Sequence, residues 1–226
     1  SNFAGLATIV AEASTAGAKV VLADLGMSSM QVDDPERGFS YSREGPLDMR
    51  MDRTRGRTAA QVLASISVED LSQALRDYSD EPEAERLAQA IVDARDSEPL
   101  ATTTDLARLL QRVSGQENWR LHPTPGKWTL HPAARTFQAL RILVNRELAN
   151  LEHLLRILPT ILAPGGRGGI ISFHSGEDRL VKGAFQLGLR QGVYRGIAQE
   201  PIRPGRSEGM ANPRARSAKL RWALRA

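Results

Sequence analysis

The sequence predicts an α/β fold interrupted by an all-helical block, and three observations carry that prediction. "AKVVLAD" (18–24) and "GGIISF" (168–173) are short apolar runs of the kind buried in a parallel sheet. Each follows a stretch with helical spacing, as strand–helix alternation requires. Between them, from about Thr58 to Leu110, successive stretches keep a helical period and show no strand pattern.

Taken in order, Ser1 or Asn2 can cap a first helix whose apolar Phe3, Leu6, Ile9 and Val10 fall on one stripe, and Gly17 suits its C′ position. The strand "AKVVLAD" ends in Asp24. "GFSYSREGPLDMRMD" (38–52) then obeys neither the helical nor the strand period, and reads as an irregular charged loop laid against a core. In the helical block, Ser67-Val68-Glu69-Asp70 resembles a helix start and Thr104-Asp105 an N-cap; Leu71, Leu75, Leu87, Ile91, Leu106 and Leu110 form core stripes. A Gly/Pro/Trp-rich loop follows, "SGQENWRLHPTPGKWTLHPAA", and then one long amphipathic helix from about Arg135 to Leu158. "PGGRGG" should be a turn ahead of the second strand, and "GEDRLVKGAFQLGL" a helix after it. The end of the chain reads as an exposed loop flanked by short strands, the last "AKLRWALR".

The 226 residues suffice for a sizeable core. The sequence contains no apolar run of membrane-spanning length, and its lack of cysteine excludes disulfides and thiolate metal sites and suits a reducing cytoplasm. From Gly165 onward there are 12 Lys/Arg against 4 Asp/Glu, whereas the first 164 residues carry 18 against 22. A basic last third joined to an acidic body points to a polyanion face. Residues 66–100 hold ten carboxylates and three arginines, so the helical block should repel phosphate. The histidines at 122, 131, 153 and 174 lack metal-ligand spacing.

In open α/β sheets the ligand site lies beyond the carboxyl ends of the strands. "DLGMSS" (24–29) and "SFHSGED" (172–178) occupy those places. Asp24 can accept hydrogen bonds from a ligand amine or hydroxyl, or serve as a loop cap. His174 taken alone is more often a structural histidine than a catalytic one.

Four blocks occurring in this order, "DLGMSSMQVDDPERGFSYSREGPLDMRMD", "HPAARTFQALRILVNREL", "LAPGGRGGIISFHSGEDRLVK" and "NPRARSAKLR", closely resemble the ribosomal RNA small subunit methyltransferase H family, also called MraW. The resemblance implies a Rossmann-like class I methyltransferase core, partial here because N-terminal strands are missing, with an inserted all-helical domain. The core would comprise 1–56 and 136–226, and the insertion, as a substrate-recognition domain, 57–135. It implies N4-methylation of a cytidine in the decoding region of small-subunit ribosomal RNA, with S-adenosyl-L-methionine (AdoMet) as methyl donor, in the cytoplasm. Partners would be that RNA or the small-subunit particle, and a second copy in a homodimer, with no membrane and no metal. The alternative is a non-catalytic RNA- or ribosome-binding protein that keeps the scaffold.

Residue by residue, the resemblance assigns AdoMet contacts to Phe3, Asp24 and Gln31, and places Arg37, Phe39, Asp48, Met49, Arg50 and Asp52 in its signature loop. Arg135, Thr136 and Phe137 match the block that opens the long helix. Asp24 and Asp48 are the candidate acceptors for the N4 hydrogen. Phe39, Tyr41, Met49 and Met51 would cradle an unstacked base. Arg37, Phe39, Arg50, Arg135, His174, Arg214 and Arg216 are the candidate RNA contacts. The chain departs from the family at Gly176, where Leu is usual, and at Gly168, where an apolar residue is. It also lacks the strand–helix units and the glycine-rich AdoMet loop with which family members begin, which leaves a parallel-sheet edge exposed.

Overall fold

In the computed structural model, which describes residues 5–13, 16–115 and 130–226, the chain runs through α1 (Leu6–Ala13), β1 (Ala18–Asp24), α2 (Ser29–Asp33), α3 (Ala59–Leu63), α4 (Val68–Ser79), α5 (Ala84–Ser97), α6 (Thr103–Val113) and α7 (Ala134–Asn145). It continues through α8 (Glu147–Ile161), β2 (Leu162–Ser172), α9 (Ser175–Arg190), β3 (Tyr194–Ile197), α10 (Arg206–Ala211) and β4 (Lys219–Arg225). The α/β class expected from sequence holds. The chain folds as two compact units, one of residues 1–26 and 147–226 and one of residues 27–146. Residues 27–56 and 136–146, which the sequence reading assigns to the sheet-bearing core, thus pack with the helices. Their apolar groups, Leu47, Met49, Phe137 and Leu140 among them, are buried in the helical unit's own core. Each chain crossing between units falls at a left-handed residue, Gly26 (φ 86) and Arg146 (φ 53).

The sheet unit has strand order β1-β2-β4-β3. Only β1 and β2 are parallel; β4 runs antiparallel to both β2 and β3, so the sheet is mixed. Its core joins Ala23, Ile170 and Ala223 of the sheet to Leu151, Leu154 and Leu158 of α8 and Val181 and Phe185 of α9. The face away from these helices carries Val20 (70% exposed), Leu22 (64%) and Trp222 (37%). β1 is therefore an edge strand with one open face rather than a strand buried on both.

"PGGRGG" is not a turn before the strand but part of β2 itself. The pairing jumps from Ala18↔Leu162 to Val20↔Arg167, leaving residues 163–166 as a bulge. Gly165 (φ 74) turns this bulge, and a Cβ on Gly166 would stand 2.8 Å from the Ala18 and Ala163 carbonyl oxygens. Two bare glycines are what let the backbone fold that close. At Gly168 a Cβ would lie 2.8 Å from Leu158 Cδ2, so the small residue lets α8 settle onto the sheet.

The helical unit buries Leu71, Leu75, Leu87, Ile91, Leu106 and Leu110, as the spacing predicts, and Leu63 and Leu140 with them. Ser67 caps α4 by accepting from Asp70 N. α6 begins earlier than expected, because Thr102 and Asp105 form a reciprocal capping box (3.1 and 2.8 Å) that makes Thr102 the N-cap. The single long helix is in fact two, α7 and α8, broken at the left-handed Arg146.

Candidate functional site

Asp24 ends β1 and is exposed, and its carboxylate makes no hydrogen bond or ion pair with any of the described residues. The Leu25 amide continues the ladder by donating to Ile171 O (3.0 Å), which sets the 24–26 turn beside the carboxyl end of β2. Gly26 takes φ 86, and the nearest atom to a Cβ there would be Phe173 Cδ2, 3.9 Å away. The carboxyl ends of two parallel strands thus stand together around an unpaired carboxylate, the arrangement that favours ligand binding in open α/β sheets.

His174 lies beside them but faces inward. It is the N-cap of α9: its Nδ1 accepts from Glu177 N (3.4 Å), while Glu177 Oε2 accepts from Phe173 N (2.8 Å) and His174 N (3.4 Å). Nε2 lies 3.3 Å from Glu177 Oε1, and both side chains are more than nine-tenths buried. The imidazole and the Glu177 carboxylate together hold the start of α9. A Cβ at Gly176 would stand 3.3 Å from Nδ1, so a glycine there leaves the cap unpressed. One helical turn on, Asp178 accepts from Arg221 Nε (2.6 Å) and Lys219 Nζ (3.3 Å). Burial pushes the Asp178 carboxyl up, but the hydrogen bonds and charges of Arg221 and Lys219 outweigh it and hold the pKa below the ordinary value.

In the helical unit, the loop 37–52 is pinned along its length. Arg37 Nη2 donates to the carbonyls of Arg50 (2.9 Å) and Met51 (2.8 Å), and its guanidinium lies 5.9 Å from the Phe39 ring centre. Asn145 donates to Met49 O (2.7 Å) and accepts from Met51 N (2.6 Å). Met49, just ahead of this clamp, adopts φ 60 with a completely buried side chain. Asp48, 5% exposed, takes Arg50 Nε at 2.7 Å and Nη2 at 3.0 Å. Burial would raise its pKa, yet the Arg50 hydrogen bonds and the charges of Arg50 and Arg53 bring it below the usual value. Asp52 accepts from Thr54 and Arg55, which draw its pKa down to about 2.

This geometry redistributes the expected roles. Arg37, Arg50 and Asp48 have partners within the loop, and the Met49 side chain is buried in the helical unit's core. Phe39 and Tyr41 do line a cleft of ≈ 280 Å³, together with Phe137, Ser40, Gln138 and Arg141. Tyr41 is stacked on His131 (4.4 Å between centroids, 12° between planes) and meets Phe137 edge-on. Gln31 sits in α2, where its side-chain oxygen accepts from Ser28 N (2.9 Å) in a capping box. Arg135 is half-buried on α7, next to the fully buried Thr136. Arg214 and Arg216 are exposed between α10 and β4. Phe3 and the Trp-rich loop at 116–129 lie outside the described residues. Among the described residues there is no cluster able to hold a metal ion, and no helix is long and apolar enough to cross a membrane. Sequence reasoning missed Asn145; its one signal was an asparagine at a helix end, where such residues favour chain breaks.

The MraW methylase family model matches residues 1–226. The chain is 45% identical over 203 residues to a ribosomal RNA small subunit methyltransferase H of Acidobacterium capsulatum, covering 90% of this chain and 65% of that protein. It is 42% identical over 235 residues to the protein of that name from Geobacter sp. strain M21, covering 97% and 73%. Ribosomal RNA small subunit methyltransferase H 1 of Lachnoclostridium phytofermentans is 44% identical over 231 residues, covering 100% and 60%. The chain thus spans between 60% and 73% of the length of these three relatives.

Proposed function

The chain belongs to the MraW methylase family, and on that premise we propose that it serves AdoMet-dependent methylation of small-subunit ribosomal RNA, at N4 of a cytidine in the decoding region. The observation that carries this reading is the unpaired carboxylate of Asp24 at the paired carboxyl ends of β1 and β2. In this reading the sheet unit is part of a Rossmann-like core, working in the cytoplasm, and the helical unit is the substrate-recognition part.

Asp24 suits AdoMet because its exposed carboxylate can accept from a cofactor hydroxyl or amine, and the neighbouring Gly26 brings no side chain to crowd it. Gln31 has its amide nitrogen left to donate, and Phe3 would lie against the adenine. AdoMet, when bound, supplies an electrophilic methyl group, so the protein needs no metal for activation. The cytosine amine is a poor nucleophile because its lone pair is delocalised into the ring. The protein must hold it in line and accept its hydrogen bond as charge develops. Asp24 is the better acceptor, since the oxygens of Asp48 are held by Arg50. A base drawn from the RNA needs a flat-walled seat, and within the helical unit the Phe39–Tyr41–Phe137 cleft would suit one, with Ser40 and Gln138 as polar edges. Arg135, Arg214 and Arg216 would contact phosphates.

The test is transfer from labelled AdoMet to undermethylated small subunits, with the RNA digested to nucleosides. This chain is assayed beside one extended with the additional length that its relatives carry. N4-methylcytidine from either preparation supports the proposal. No product from both, with RNA binding retained, favours a binding protein without catalysis.

A further inference from the structure

The two ends of the sheet differ in chemistry. β4 starts where β2 finishes, with Lys219 paired to Ser172, and β3 runs toward that same end, with Ile197 opposite Ala223. Ile202 then exchanges two 2.9 Å hydrogen bonds with Leu220. The connection 203–218 therefore projects from the end of the sheet that holds Asp24. It carries Arg203, Arg206, Arg214 and Arg216, all exposed, against the single acidic Glu208. In its middle is α10, six residues long with none buried.

Met210 on α10 is 78% exposed, the most exposed large apolar residue of the described sheet unit. So short a helix that buries nothing has no folding use for a methionine there. The helix is nonetheless held in place, because Arg216 Nε donates to Gly209 O (2.8 Å) next to Met210. An apolar, flexible, polarisable side chain is thus presented on an anchored support, in a connection that also carries four exposed arginines. That combination matches RNA: guanidinium groups take the phosphates, and an apolar wedge enters a base step and replaces the stacking lost when a base leaves.

Resting on the proposed function, we infer that the β3–β4 connection is the element that opens the RNA stack beside the target nucleotide, with Met210 as the wedge and Arg206, Arg214 and Arg216 as phosphate contacts. Enzymes acting on a base must extrude it, at a cost of a few kcal/mol, and a residue filling the vacated place lowers that cost.

The test uses a small-subunit RNA fragment with the fluorescent base analogue aminopurine next to the target cytidine. Binding and the fluorescence rise on unstacking are measured separately. The unaltered chain binds and raises the fluorescence. Met210→Ala keeps its affinity within about threefold yet cuts the rise per bound RNA by roughly fivefold, and Met210→Leu restores it. Arg214→Ala with Arg216→Ala weakens binding and lowers the salt slope by about two. A full rise with Met210→Ala overturns the inference while leaving the RNA reading intact. So does a loss of affinity in that variant with the rise per bound RNA unchanged. If the unaltered chain does not bind the fragment, the RNA reading falls and the inference with it.

Discussion

Asn145 grips the backbone on both sides of Arg50, donating to the Met49 carbonyl at 2.7 Å and accepting from the Met51 amide at 2.6 Å. The consequence is visible in both residues. Met49 is held at φ 60 with its side chain wholly in the core, and the chain leaves α7 at the residue after Asn145.

Asn145→Ala removes both bonds and leaves two partly buried backbone groups unpaired. It is expected to cost about 2 kcal/mol, the scale for orphaned buried partners. Urea unfolding of the variant reads this directly. A loss below about 0.5 kcal/mol would show that the loop keeps its shape without the clamp.

Asp24→Asn acts on an exposed group without a partner among the described residues. Its stability should stay within about 0.5 kcal/mol of the parent. Turnover by an active preparation should fall by roughly a hundredfold or more, as expected for a group that handles a proton in the transition state. An unchanged rate removes Asp24 from the mechanism.

Gly168→Val sets a side chain where a Cβ alone is already 2.8 Å from Leu158 Cδ2. Overpacking of this kind costs about 1–3 kcal/mol. Thermal unfolding should show the lower midpoint, and Leu158→Ala in the same chain should recover part of it. A midpoint equal to the parent's would mean that α8 yields freely.

Acid sensitivity should reside partly in Asp178. Its folded pKa lies below the ordinary carboxylate value of 3.8, so the pairing with Arg221 and Lys219 stabilises fully above that value. The contribution is lost as pH falls through the folded pKa. Asp178→Asn is expected to be less stable at neutral pH by about 3 kcal/mol, since it strands a buried guanidinium. It should also lose less further stability than the parent between neutral pH and strong acid. Parallel stability–pH curves for the two proteins would contradict this.

Much of the chain was legible because local chemistry and final structure agree. The stripe Leu71, Leu75, Leu87, Ile91, Leu106 and Leu110 is core, Ser67 is a cap, and "AKLRWALR" contains a strand. Period, capping and turn preferences act over a few residues, and so does a sequence reading. By itself the sequence also determined the α/β class, the basic last third and the family resemblance.

Tertiary structure decided which of the competing partners each group took and which groups were buried. No local rule foretells that Asp48 is held by Arg50 and that Arg37 is turned onto backbone carbonyls, because both follow from how an aperiodic loop closes on itself. His174 became a cap and not a surface group because Glu177, one turn along, is buried with it. "PGGRGG" entered a strand because β1 offered a partner that Gly166 could approach closely. Hydrogen-bond partners and burial are properties of the packed chain, and the sequence supplies only the groups that compete for them.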